Sequence, residues 1–137
     1  MSDRIRNGLL CLLALATGGI LYGLFRENTI VALQLEKFLP LAFYRELLPK
    51  KSFPFLQFYL PDLLWSFSLC CGLLAIFGAD RRGSYRSVGS TLALGCFWEL
   101  MQWLGILSGT GDSIDVLMYS AGCILSILTN YKKERRQ

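Results

Sequence analysis

Charge is segregated along this chain. It gathers at Asp3–Arg6, between Arg26 and Lys51, at Asp80–Arg86 and at Lys132–Arg136, and the stretches between are nearly free of it. The first, GLLCLLALATGGILYGLF over 8–25, carries none at all. At ~1.5 Å per residue those 18 residues reach about 27 Å as a helix, close to the thickness of a bilayer core. A water-soluble helix breaks such a run with a polar residue every turn. The chain is therefore expected to be an all-α, polytopic membrane protein, a single domain of 137 residues.

Four spans are expected, at about 8–25, 59–78, 87–107 and 112–130. Arg4 and Arg6 before the first could mimic a secretory signal. The apolar run exceeds an ordinary signal core, however, and no A-x-A site follows it, so the expectation is a retained span. Residues 27–54 mix Leu33, Leu35, Phe38 and Leu39 with Glu27, Gln34, Glu36 and Lys37, broken by Pro40 and Pro49. That stretch is too polar to cross and too apolar to be disordered. It reads as one or two short amphipathic helices in the interface, or a surface loop. Pro61 suits a first helical position and Asp62 a first turn, where the helix dipole favours an anion.

Basic residues set the orientation. Arg4, Arg6, Arg81, Arg82, Arg86, Lys132, Lys133, Arg135 and Arg136 fall on one side; Arg26, Lys37, Arg45, Lys50 and Lys51 fall on the other. The bias places both termini in the cytoplasm. The formal charge of +4 follows from residues flanking spans, so nucleic acid is not an expected partner; membrane lipids are.

Under this topology Asp62, Asp112 and Asp115 begin spans on the outer side. Glu99 and Gln102 lie roughly 12 Å and 8 Å inside the outer end of the third. A charged side chain at that depth costs about 2.5–3.5 kcal/mol and faces a bundle interior. Gly95, Glu99 and Gln102 form one stripe; Asp115, Tyr119, Gly122 and Ser126 form a second at helical spacing. Against a binding role for this cluster stand simpler readings. Asp62 and Asp112 serve as helix-start residues, Asp115 resembles part of a capping box, and a Glu99–Gln102–Tyr119 hydrogen-bond knot would need no ligand. Trp65, Trp98 and Trp103 read as belt or packing residues. Gly19 and Gly23, a small-xxx-small pair, and likewise Gly95 and Gly122, are candidates for close helix approach.

There is no histidine and no CxxC, and all five cysteines lie in apolar runs. No metal site, cofactor or nucleophile–base set is expected, and hence no catalytic residue.

The stretch WELMQWLGILSGTGDSIDVLMYSAG, residues 98–122, resembles the VanZ-like family of small membrane proteins. Glu99 and Gln102 match its Glu and Gln three apart. Thr110, Asp112, Asp115 and Gly122 match the turn and following span, while Gly109 and Tyr119 stand where the family often has Arg and Asn. The resemblance implies a protein of the bacterial cytoplasmic membrane, concerned with the envelope and linked to glycopeptide, notably teicoplanin, resistance. The polar cluster would then bind a lipid or cell-wall headgroup or a partner membrane protein, an acidic site favouring a cationic group or an uncharged polyol over a bare phosphate. A small transporter or channel, homo-oligomeric and proton-coupled through Glu99, is the competing expectation; an enzyme acting on lipid is a third.

Overall fold

The structure is a computed structural model that describes residues 2–25, 30–47, 55–107 and 111–134. Among the described residues six α-helices follow in order: α1 (Asp3–Phe25), α2 (Ile30–Leu35), α3 (Leu41–Leu47), then a π-helical turn Phe55–Tyr59 running into α4 (Leu60–Phe77), α5 (Arg81–Trp103) and α6 (Ser113–Glu134). The described residues contain no strand. Three helical stretches among them are long and apolar enough to cross a membrane: Asp3–Phe25, Gln57–Phe77 and Ser113–Asn130.

α4 is the central helix, with α1, α5 and α6 packed around it. Where α4 meets α6, Gly122 allows near-contact: a Cβ there would lie 2.6 Å from the Leu63 carbonyl oxygen and 2.8 Å from the Phe67 nitrogen. α1 meets α4 through Ser68, whose hydroxyl donates to the Cys11 carbonyl at 2.8 Å. At the same end Asn7, fully buried, exchanges amide hydrogen bonds with Asn130 of α6 at 3.1 and 3.3 Å. Cys70, Leu74 and Cys123 form a small apolar core nearby, with Val88, Leu92 and Ile127 against it.

The helix ends differ from expectation, and capping explains why. The basic stretch after Gly78 is expected from the sequence as a loop; instead Asp80 caps α5, accepting from the Gly83 N–H at 3.3 Å, so Arg81, Arg82 and Arg86 are helical and the link is only residues 78–80. Gly78, at φ 92°, closes α4 by donating to the Leu74 carbonyl at 3.0 Å. α5 stops at Trp103 rather than at 107, because Gly105 turns left-handed at φ 71° and donates to the Gln102 carbonyl. α1 begins five residues before the expected span and α6 runs four beyond it, each carrying its flanking charges as further helical turns.

Within 27–54, residues 30–47 are described and form two short helices; 27–29 and 48–54 lie outside the described residues. α2 and α3 pack on the end of α1 at Gly23, where Leu35 and Leu41 each come within 3.1 Å of a Cβ position. Outward the helices present Leu33, Phe43 and Leu47 and the link between them Phe38, all more than half exposed. Arg45 fastens the segment. Its guanidinium pairs with Glu36 and donates to the carbonyls of Gly23 and Leu24, the latter at 3.3 Å, so it satisfies terminal acceptors of α1 that have no helical partner. Arg45→Ala should leave the long helices intact and release α2–α3. Amide hydrogen exchange over 30–47 is expected to quicken about tenfold, and unchanged protection there would count against the clasp.

Candidate functional site

α5 has its polarity reversed. Gly83, Ser87, Thr91, Gly95 and Glu99, each four residues after the last, are its buried residues, while Leu94, Phe97, Trp98, Leu100 and Trp103 are exposed. The buried hydroxyls need no partner helix: Ser87 donates to the Gly83 carbonyl and Thr91 to the Ser87 carbonyl, both at 2.9 Å. α6 repeats the arrangement, with Tyr119, Gly122, Cys123 and Ser126 inside and Leu117, Ile124 and Leu128 outside.

The two stripes meet at Glu99. The Tyr119 hydroxyl donates to Oε1 at 2.7 Å, and the Asp112 backbone N–H donates to Oε2 at 3.0 Å. Glu99 is 8% exposed and Tyr119 3%. The tyrosine ring reaches this position because Gly95 leaves room for it: a Cβ at Gly95 would lie 2.5 Å from Cδ2. Its other side meets Trp65 edge-on, centroids 5.6 Å apart. Asp112 in turn caps α6, its Oδ1 accepting from the Ile114 N–H at 2.9 Å. One carboxylate thus ties the C-terminal part of α5 to the start of α6.

Beside this knot lies a cavity of about 860 Å³. It is lined by Asp62, Glu99, Gln102, Asp112, Asp115 and Tyr119, the six polar residues expected to converge. Sequence reasoning missed the rest of the wall. α1 supplies Ala14, Leu15, Gly18, Gly19 and Tyr22; Phe58 and Tyr59 come from the π-helical turn; Trp65 and Trp98, read as belt or packing residues, also line it. Tyr22 was the signal available, a phenol in an otherwise apolar half of α1. Gly19 is a cavity residue with nothing within 4 Å of a Cβ position, so the close approach expected there does not occur; its neighbour Gly18 makes ordinary contact with Leu64, at 3.4 Å. Gly23 packs against α2 and α3 rather than against a long helix. Gly109 and Thr110 lie outside the described residues.

The described residues contain no group of three or more His, Cys, Asp or Glu placed to hold a metal ion. No protein-family model, curated protein or solved structure matches the chain.

Proposed function

We propose that this is a four-span protein of the bacterial cytoplasmic membrane, with both termini cytoplasmic, that binds the headgroup of a lipid or lipid-linked cell-wall precursor in the cavity beside Glu99, without catalysing a reaction. The observation that carries it is the convergence of Asp62, Gln102, Asp112 and Asp115 on one open cavity at one end of the fold. Inverted polarity supports α5 as the fourth span: it buries Ser87, Thr91 and Glu99 and turns Leu94, Phe97 and Leu100 outward, a pattern that suits lipid and not water. Its 23 residues reach about 35 Å, enough to cross. The distribution of Lys and Arg supports the cavity lying in the outer leaflet. The exposed apolar faces of α2 and α3 support an interfacial position beside it. An envelope role linked to glycopeptide resistance belongs to the same proposal and rests on the motif resemblance read in the sequence of residues 98–122. Proton-coupled transport through Glu99 is the weaker reading, since both its oxygens accept hydrogen bonds that hold the fold.

Asp62→Asn/Asp115→Asn keeps side-chain volume and removes two charges from the cavity. Purified in mild detergent and examined by native mass spectrometry, the variant should retain about a third or less of the lipid held by the wild type. Equal lipid occupancy at equal folded yield would refute the proposal.

A further inference from the structure

Resting on the four-span orientation proposed above, but not on the cavity, we infer that the first turns of α5 dock the phosphate of an acidic phospholipid in the cytoplasmic leaflet. Because Asp80 caps α5, Arg81, Arg82 and Arg86 stand on one helix rather than in a loop. All three are exposed, and none forms an ion pair with a described side chain. The acids at this end are engaged elsewhere: Asp3 pairs with Arg6 at 3.6 Å, and Asp80 accepts from the Gly83 N–H. Arg82 and Arg86 lie one turn apart on a shared face. The Arg81 guanidinium lies over the Tyr85 ring, 5.8 Å from its centroid, within the reach of a cation–π contact.

The spacing suits a membrane surface. From Arg81 to Arg86 the helix advances about 7.5 Å, close to the headgroup layer on one side of a bilayer. Residues 87–103 then reach about 25 Å, close to the hydrocarbon core. On the other limb of the link, Ile76 and Phe77 end α4 exposed and apolar. A phospholipid meets both features, its chains against Ile76 and Phe77 and its phosphate against the guanidiniums. Each guanidinium fork can hold two phosphate oxygens at once, and a basic cluster at this depth is drawn to an anionic leaflet. A zwitterionic lipid offers the same phosphate but brings a cation of its own, which the arginines repel.

The test uses the full chain reconstituted in phosphatidylcholine vesicles with trace spin-labelled phosphatidylglycerol or phosphatidylcholine. The motionally restricted fraction of each label reports its association with the protein. Phosphatidylglycerol should associate about fivefold more strongly than phosphatidylcholine. In 1 M salt that preference should fall to about twofold or less. Arg81→Gln/Arg82→Gln/Arg86→Gln, at exposed positions, should lower it to a similar value at low salt. Arg81→Lys/Arg82→Lys/Arg86→Lys keeps the charges and the orientation they set but loses the forks. It should retain about half the preference, and it serves if the glutamine variant is not recovered. A lysine variant equal to the wild type would overturn docking in favour of diffuse attraction. A glutamine variant equal to the wild type would place the preference elsewhere in the chain, and a preference unmoved by salt would remove its charge basis; either overturns the inference. If the wild type restricts both labels equally, the inference falls while the spans stand. If it restricts neither, the chain is not in the bilayer and both readings fall.

Discussion

Glu99→Ala is expected to lower the stability of the folded bundle by about 2–4 kcal/mol, read as a fall in the unfolding midpoint in detergent. The substitution removes one side chain and orphans two donors. Tyr119 is 3% exposed, so its hydroxyl loses its one acceptor at a largely buried position. The Asp112 N–H belongs to the start of α6, where backbone donors already lack helical acceptors. Hydrogen bonds between membrane helices average only about 0.6 kcal/mol when one is deleted, because the separated helices find other partners. Two charge-assisted bonds to one buried carboxylate exceed that average, and the cost of stranding both donors adds to it. Glu99→Gln should cost about half as much: its oxygen still serves one donor, but its NH₂ then faces the other. Tyr119→Phe, which keeps the ring on Gly95 and Trp65, should cost about 1–2 kcal/mol. A Glu99→Ala chain unfolding together with the wild type would show that the knot does not hold α5 to α6.

Gly122→Val should be the most damaging change in the protein, costing about 3 kcal/mol or more, or preventing recovery of folded chain. Any Cβ at that position meets the Ser66 hydroxyl, the Leu63 carbonyl and the Phe67 nitrogen, and two of those three are backbone atoms. Neither can swing aside as a side-chain tip would. α4 and α6 must separate, and Ser66, fully buried between them, loses its fit against the Met118 carbonyl. The matched control is Gly89→Ala, with nothing within 4 Å of the new methyl and a helical backbone; it should be neutral or slightly stabilising. If the two variants unfolded alike, glycine at 122 would not be setting the α4–α6 distance.

The long helices were legible because charge is expensive in lipid and gathers at the ends of apolar runs, three of which are long and apolar enough to cross a membrane. Their boundaries were less so. A helix continues through charged residues whenever a cap closes it properly, and Asp80 and Gly105 moved both ends of α5. The polar cluster could be read at Glu99 and Asp115 because helical spacing places each on a face shared with small residues. The α1 wall could not: Ala14, Gly18 and Gly19 carry no chemistry, and which glycine approaches α4 depends on a rotation of α1 that the GxxxG spacing alone does not fix. The aromatic residues were visible, but whether a tryptophan faces lipid or a cavity depends on its neighbours in space.

The reversed face of α5 bears on how the protein is made. A helix with arginines in its first turns and a glutamate in its second half gains little from entering lipid unaccompanied. In the four-span arrangement proposed above, the three-residue link at 78–80 would let it go in as the trailing limb of a hairpin behind the greasier α4. At that moment Glu99 has neither the tyrosine nor the backbone donor that it will hold, since both belong to the segment synthesised afterwards. In that arrangement the arrival of α6 completes the shelter of Glu99, and a nascent chain halted after α5 would be left with its acid unsheltered.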